Sequence, residues 1–325
     1  MDNVNIPPLK FTPILKSVVW GGEKIAPFKG IVTDQKNIGE SWEISGVRGN
    51  ESVVVNGPDA GLTLTRMIEK YGADLVGSHV YKRFGNTFPL LIKIIDAAGD
   101  LSLPVHPDDE LARRRHNSLG KTEMWYIVDT DPDAAIVSGL SAEITPDEYA
   151  AKVADNTLLD VVAHHTSHPG DVFFLPAGRI HAIGAGNLLV EVQETSDVTY
   201  RIYDYGRIDA TTGKPRQLHV EEAKDAIDYK VYPSYTSTPT DLGNGIEELV
   251  QCDHFTVYAL TIDGEHVFRP VVDSFSTLTC IEGEMTVTDS NGCSVSLRRG
   301  ESALMPACHK EFVISGKGRV IDAHS

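Results

Sequence analysis

Two histidines and one glutamate stand out in the sequence because together they could hold a divalent metal ion. His106 lies in LSLPVHPDDE, Glu123 in GKTEMWYIVD, and His181 in GDVFFLPAGRIHAIGAGN. Two neutral imidazoles and one carboxylate leave coordination positions free for water or substrate, and they are ligand types of catalytic zinc and of non-haem iron. Singly, each histidine would be assigned to the core or the surface. The combination favours a catalytic metal site.

The elements that would position these three residues are short β-strands. Runs of about four to eight residues that alternate or stay apolar lie between Gly, Asn, Asp and Pro. They include SWEISGV, SVVVNG, FPLLIKIIDA, MWYIVD, DVFFLPAG, LLVEVQE, FTVYALTI, STLTCIEG, EMTVTD, CSVSLRRG and RVIDAH. The pattern predicts a mainly β, largely antiparallel protein built of sandwiches or jelly rolls. A sheet curled into a barrel would bring ligands from distant strands onto one inner face.

The sequence predicts fewer helices than strands, and these helices are expected to form an insertion between two groups of strands. The segment 62–85 spaces its apolar residues at helical intervals, and Gly72 is suited to end a first helix there. Thr145, Pro146 and Glu148 fit the N-cap, N1 and N3 positions of a capping box.

The length of 325 residues predicts about two domains. The stretch YPSYTSTPTDLGNG at 232–245 is rich in Pro, Ser, Thr and Gly, so we divide the chain into residues 1–235 and 236–325. The repeated spacing of Gly170 to Pro176 and Gly300 to Pro306, each followed by a histidine, suggests that the two units are related.

Charge and composition restrict the partners. A net charge of −17 repels nucleic acid and anionic lipid, so an anionic small substrate would need clustered Lys and Arg at its site. No apolar run is long enough to span a bilayer, and the start MDNVNIPPLKF lacks the pattern of a secretory signal, so a cytoplasmic protein is expected. The four cysteines read as reduced, mostly buried thiols. The oligomeric state stays open.

The spacing Gly170-x5-Pro176-x-Gly178-x2-His181 resembles the second cupin motif, and the region from His106 to Glu123 resembles a variant first motif. Blocks along the chain are also similar, in order, to those of type I mannose-6-phosphate isomerases. They are VVWGGEKI, IGESWEISG, FPLLIKIIDA, VHPDDELA, GKTEMWYIV and VEVQETSDVTYRIYDYGR. The resemblance implies a double cupin of jelly-roll barrels with a small helical insertion. The first barrel would be catalytic and the C-terminal one degenerate.

The same resemblance implies a role for each site residue. It makes His106, Glu123 and His181 the ligands of a zinc ion, and Arg201 a catalytic arginine. It assigns four further residues to the substrate pocket or to proton handling: Lys121 and Glu191 as catalytic residues, Ser102 and Arg207 as substrate-binding residues. The substrate implied is a small phosphosugar, mannose 6-phosphate or fructose 6-phosphate.

One departure from the family is Pro104, where a glutamine two residues before the first ligand histidine is usual. Proline has no side-chain donor or acceptor. Three consequences are open: the metal has three protein ligands completed by water or sugar oxygens, it binds more weakly, or the specificity has changed.

The implied chemistry agrees with the residue types. An aldose and a ketose interconvert through an enediol whose oxygens gain negative charge, which a divalent cation and an arginine can stabilise. On a strand, Lys121 would share a face with Glu123, and two roles are open for it: proton transfer, or pairing with a phosphate or carboxylate. Glu191 and Gln193 would likewise share one face of a strand.

Two other functions use the same residues. Another metal-dependent cupin enzyme, such as an iron dioxygenase, would need the same ligands, but the cations at 121, 201 and 207 favour a phosphosugar. A sugar-phosphate-binding protein without activity would explain Pro104. Two groups of residues are expected to carry no chemistry. We predict that the tryptophans Trp20, Trp42 and Trp125 lie in the core and that the histidines His164, His165 and His168 lie in a loop.

Overall fold

The architecture is taken from a computed structural model that describes residues 5–208, 212–270 and 272–325. The strands of the first part are β1 (Leu9–Lys10), β2 (Ile14–Gly22), β3 (Ile38–Ser45), β4 (Leu90–Asp96), β5 (Leu103–Val105), β6 (Glu123–Thr130), β7 (Ala135–Leu140), β8 (Val162–Thr166), β9 (Val172–Leu175), β10 (His181–Ile183), β11 (Asn187–Glu194) and β12 (Tyr200–Tyr203). Those of the second part are β13 (Thr240–Gly243), β14 (Ile246–Gln251), β15 (Thr256–Phe268), β16 (Ser276–Asp289), β17 (Ser294–Arg298), β18 (Ser302–Met305) and β19 (Phe312–His324). The mainly β prediction is confirmed.

Helices occupy the connections between the strands of the first part. They are α1 (Ile25–Lys29), α2 (Leu64–Tyr71), α3 (Ala73–Val76), α4 (Ser78–Phe84), α5 (Asp109–His116), α6 (Pro146–Ala154) and α7 (Val220–Lys224), with a short 3-10 helix at Leu158–Val161. Helices α2 to α4 lie between β3 and β4, which confirms the helical insertion.

Local sequence signals explain two of these helices. Helix α2 ends before Gly72, whose φ of +51° is in the left-handed region that glycine adopts without a steric penalty. Helix α6 begins with the expected capping box. Its Thr145 side chain accepts from the Glu148 amide at 3.2 Å, and the Glu148 carboxylate accepts from the Thr145 amide at 2.7 Å.

The first barrel is formed by a six-stranded antiparallel sheet in the order β2-β3-β4-β11-β6-β9 and by two smaller sheets, β10-β7-β8 and β12-β5. Side chains alternate between the two faces of its central strands. On β11, Val190 and Val192 pack into one large apolar cluster, while Glu191 faces the other way, into the barrel. The predicted alternation in VEVQE is therefore confirmed.

Apolar side chains close one end of the barrel interior and leave the other for polar groups. The apolar end is filled by a cluster that includes Trp20, Ile95, Trp125, Leu189 and, from the facing sheet, Ile183. The opposite faces of the small sheets are covered by α6 and α7. Because apolar residues fill one end, the polar residues that also face inward share what is left of the interior.

The seven strands of the second part and β1 form an eight-stranded antiparallel sheet that curls around its own apolar cluster. Its path is β1-β18-β16-β19-β15-β14-β13, and β17 pairs with β16. Strand β1, from the start of the chain, pairs Leu9 with Leu304 and Lys10 with Ala303. The division of the chain at residue 235 stays a prediction.

Two local predictions were wrong. SVVVNG does not form a strand: within it only isolated bridges occur, Val53 with Thr63 and Val54 with Phe11. The histidine-rich segment is not wholly a loop, because His164 and His165 lie on β8 and pair in register with Val137 and Ile136 of β7. Strand β7 supplies backbone partners along this polar stretch. The backbone of SVVVNG instead bonds to several different segments, among them Lys10, Ser45 and Leu62, and so forms no continuous ladder.

No helix in the described ranges is both long enough and apolar enough to cross a membrane.

Candidate metal centre and substrate pocket

Three different elements bring the predicted metal ligands together at the polar end of the first barrel. His106 follows β5 directly, Glu123 begins β6, and His181 begins β10. One ligand atom from each residue lies within 4.8 Å of the others, and the three residues are 2%, 1% and 3% exposed. Residues far apart in the chain therefore form one buried cluster.

The turn before His181 is fixed by a glycine. Gly178 has a φ of +88°, and a Cβ there would lie 2.8 Å from the Ala226 carbonyl oxygen, so a side chain is excluded. Its amide donates to the His106 carbonyl at 2.8 Å. The proline–glycine turn thus ties the loop of one histidine to the loop of the other.

Both imidazoles present their Nε2 atoms to the cluster. His106 Nδ1 lies 2.9 Å from the Val198 carbonyl oxygen, and His181 Nδ1 lies 2.8 Å from that of Arg179. A carbonyl only accepts, so each Nδ1 carries a proton and donates it. In the neutral ring Nε2 then keeps its lone pair. Backbone contacts of this kind orient histidine ligands in metal sites.

Glu123 is the negative charge of the cluster. Its carboxylate oxygens lie 3.0 Å from His181 Nε2, 3.8 Å from His106 Nε2 and 2.8 Å from Lys121 Nζ. Burial by itself raises the pKa of Glu123, but the Lys121 ammonium group and the imidazoles outweigh it and hold that pKa well below the usual range. Burial, and then the positive charge of Lys121, lower the pKa of His106 well below normal. The carboxylate is therefore ionised and His106 is neutral, as ligands must be.

A second charged group lies beside the first on the inner face of the sheet. Lys93 of β4 pairs across the sheet with Glu191 of β11, and their side chains form an ion pair at 2.8 Å. The other Glu191 oxygen accepts from Trp125 Nε1–H at 2.8 Å. Burial lowers the pKa of Lys93, but Glu191 and Glu40 outweigh it and raise that pKa above normal. Glu191 is thus held in one orientation by two neighbours.

A cavity of about 290 Å³ opens over these groups. It is lined by the three predicted ligands. The other predicted residues that line it are Lys121, Glu191, Ser102 and Arg201, and Pro104 lines it as well. Its size suits a small polar ligand.

Two arginines give one side of the cavity a positive charge. Arg201 and Arg216 both line it, and Arg201 Nε donates to Ser102 Oγ at 3.4 Å. Burial, and next the nearby Arg216 charge, lower the pKa of Arg201. Two guanidinium groups on one side of a cavity, in so acidic a protein, favour the binding of an anion there.

Arg207 occupies a different place from the other predicted residues. It is absent from the cavity lining, and its guanidinium donates to Asp204 Oδ1 at 3.0 Å and to the Asp100 carbonyl at 2.6 Å. Asp204 is also bound by Arg216, at 2.7 Å from Nε. Burial raises the pKa of Asp204, but the two arginines outweigh it and lower that pKa. Arg207 thus contacts Arg216 through a shared carboxylate.

The residues present fit a divalent metal ion. Glu123 Oε2 is buried and makes no hydrogen bond, although Lys121 Nζ is close enough for an ion pair. Two imidazole lone pairs converge on the same carboxylate. A buried carboxylate oxygen without a hydrogen bond, next to two imidazole nitrogens, is a donor set that a cation would complete.

Sequence reasoning missed several residues of this site. Lys93 is hidden in the apolar run FPLLIKIIDA, and Arg216 is an unremarkable surface-type residue in GKPRQL. The tryptophan prediction was correct in part: Trp20 and Trp125 are buried, but both also line the cavity. Trp42 is half-buried, with Lys16 Nζ 4.3 Å from the centre of its ring. Only a lysine inside an apolar strand offered a signal.

Comparison with known proteins agrees with this architecture. Residues 9–137 match the phosphomannose isomerase type I catalytic domain, and residues 245–325 match the mannose-6-phosphate isomerase cupin domain. The predicted cupin fold is therefore confirmed. The mannose-6-phosphate isomerase ManA of Bacillus subtilis is 35% identical over 324 residues, which cover 98% of each chain.

Two further relatives extend the comparison. A mannose-6-phosphate isomerase of Streptococcus mutans is 31% identical over 321 residues, with 98% of each chain covered. A crystal structure of mannose 6-phosphate isomerase from Bacillus subtilis matches with a TM-score of 0.88 at 32% identity, covering 98% of this chain and 100% of the other. Because the likeness extends over nearly the whole length in sequence and structure, this chain belongs to the type I mannose-6-phosphate isomerase family.

Proposed function

We propose that the protein interconverts mannose 6-phosphate and fructose 6-phosphate, using a zinc ion held by His106, Glu123 and His181. The observation that carries the proposal is the convergence of these three buried residues under a cavity that two arginines also line. Zinc is preferred because two imidazoles and one carboxylate, with positions left open, form its usual catalytic ligand set. When bound, the ion would polarise the sugar carbonyl and offset negative charge on the sugar oxygens.

The reaction moves protons between two neighbouring carbons. From mannose 6-phosphate, C2 loses a proton while the C1 carbonyl oxygen gains one, which gives an enediol. The oxygen on C2 then loses its proton and C1 gains one, which gives the ketose. The protein must therefore supply one group that carries a proton between the carbons and others that stabilise charge on the oxygens.

Lys121 and Glu191 are the two candidates for the proton carrier. Both line the cavity and both are buried. Lys121 Nζ lies 3.1 Å from His106 Nε2, so it can reach oxygens beside the metal ligands. Glu191 is held by Lys93 and Trp125, which would keep its carboxylate aimed in one direction. We infer that these two residues share the proton transfers, and that Arg201 stabilises the charge on the enediol oxygens.

Arg216 and Ser102 are proposed to bind the phosphate. Ser102 Oγ lies within reach of Arg201, and Arg216 adds a second positive charge at the same side. Arg207 is proposed to act through Asp204, by fixing the carboxylate that orients Arg216. Pro104 lines the cavity without offering a ligand atom, so the protein provides three metal ligands.

The test is a coupled isomerase assay on purified protein, with metal content measured in parallel. Dialysis against a chelator should abolish interconversion, and added zinc should restore it. His181→Ala should lose both zinc and turnover, because one of three ligands is removed. His164→Ala, at an exposed histidine, is the matched control and should keep both.

Two results would contradict the proposal. Turnover that is indifferent to metal removal would exclude the metal role. Tight binding of mannose 6-phosphate to the zinc-loaded protein without turnover would mean a binding protein rather than an isomerase.

A further inference from the structure

A second group of potential metal ligands lies outside the substrate cavity. Asp109 begins α5, Glu194 ends β11, and His254 lies between β14 and β15. One ligand atom from each of the three lies within 4.8 Å of the others. The group therefore joins the first barrel, which supplies two carboxylates, to the second part of the chain, which supplies an imidazole.

Each carboxylate has one oxygen fixed by the backbone and one left for another partner. Glu194 Oε2 accepts from the Thr122 amide at 2.8 Å, and Asp109 Oδ1 accepts from the Gly120 amide at 2.8 Å. The second Glu194 oxygen, Oε1, lies 2.9 Å from His254 Nδ1. Backbone donors of this kind hold a ligand carboxylate in place before an ion arrives.

The burial and charge of these groups favour the binding of a cation. The Glu194 side chain is only 4% exposed, and His254 Nδ1 is buried without a hydrogen bond of good geometry. Arg83 opposes a bound cation, but it lies 3.9 Å from Asp109 and its side chain is 42% exposed, so solvent screens it.

We propose that Asp109, Glu194 and His254 form a second site for a divalent transition-metal ion, separate from the centre at His106, Glu123 and His181. One imidazole and two carboxylates are the ligand types that zinc and manganese accept. The side chains of Asp109 and His254 are about one quarter exposed, which leaves room for water to complete the coordination.

An ion at this site would affect the segment that carries Lys121 as well as the stability of the protein. The two backbone amides that hold the carboxylates belong to Gly120 and Thr122, on either side of Lys121. A bound ion would therefore fix both the segment that carries Lys121 and the contact between the two parts of the chain.

The test is zinc titration of chelator-treated full-length protein by calorimetry, with the bound metal counted by mass spectrometry. The parent protein should bind two equivalents. His254→Gln and Glu194→Gln should each bind one, and should lose the part of the zinc-dependent rise in melting temperature that the second equivalent produces. The glutamine at 194 can still accept from Thr122, so folding is retained.

Controls separate this site from the others. His164→Gln removes an exposed histidine and should still bind two equivalents, which shows that surface histidines do not hold the second ion. His181→Ala should lose the first ion and keep the second, so this inference can fail independently of the proposed isomerase activity. A single equivalent in the parent, or two equivalents in His254→Gln, would overturn it.

Discussion

Removing the charge of Glu123 should destabilise the metal-free protein strongly, because it leaves Lys121 buried without an anionic partner. The two groups lie 2.8 Å apart at 10% and 1% side-chain exposure. At an effective dielectric constant of about 20, the attraction across that distance is about 6 kcal/mol. Part of it is offset because a glutamine oxygen still accepts a hydrogen bond. We therefore expect Glu123→Gln to lower the free energy of unfolding by about 3–5 kcal/mol.

A double variant tests the cause of the loss. Lys121→Met combined with Glu123→Gln removes both charges and should recover most of the stability, so the coupling energy in a double-mutant cycle should reach about 3 kcal/mol. The matched control is Glu311→Gln. Its partner Arg269 is 69% exposed and Glu311 is 49% exposed, so the loss should be below about 1 kcal/mol.

Urea unfolding in the presence of a chelator measures these free energies. The slope of the unfolding free energy against urea concentration is compared between variants, because a changed slope would mean a change in more than stability. A loss in Glu123→Gln no larger than that in the control would refute the reasoning. So would a double variant as unstable as the single one, because the damage would then not come from an unpaired lysine.

Three further outcomes are expected. Trp125→Phe should retain zinc but lower kcat by roughly tenfold, because Glu191 loses a hydrogen bond worth about 1.4 kcal/mol; unchanged kcat would contradict this. Arg216→Met should raise KM for mannose 6-phosphate by roughly tenfold, and Arg207→Met by less, since Arg207 does not line the cavity. Burial raises the pKa of Asp322 to about 7, above its unfolded value, so its carboxyl stabilises the fold at low pH and this contribution is lost as the pH rises to about 7. Asp322→Asn should therefore be more stable than the parent, and the difference in the free energy of unfolding should grow by up to about 4 kcal/mol from pH 4 to pH 8. A difference that does not change with pH in urea unfolding would contradict this prediction.

Residue type and local pattern, together with the family resemblance, were enough to predict much of the fold and the cluster of candidate metal ligands. Ligand chemistry depends on side-chain type, so His106, Glu123 and His181 could be selected before any coordinates, and the structure brings their ligand atoms within 4.8 Å. A capping box is formed by residues close in the chain, so Thr145 and Glu148 marked the start of α6 correctly. Both signals are local, and local signals can be read from a sequence.

Pairing between distant segments was not accessible in this way. Lys93 reads as an interruption of an apolar strand, and only the register of β4 against β11 sets it opposite Glu191. Arg216 reads as a surface cation, and it becomes part of the cavity because Asp204 binds it. His164 and His165 read as loop residues, and β7 made them part of a strand.

The sequence by itself determined which chemistry the protein could carry out and most of the segments that would be strands or helices, because those depend mainly on side-chain type and on neighbours within a few positions. Tertiary structure alone decided which charges meet inside the barrel, which arginines face the cavity, and that His254 lies beside Glu194. The physical reason is that strand register and barrel closure are set by burial summed over the whole chain, and a single-residue shift in register would turn every inward side chain outward.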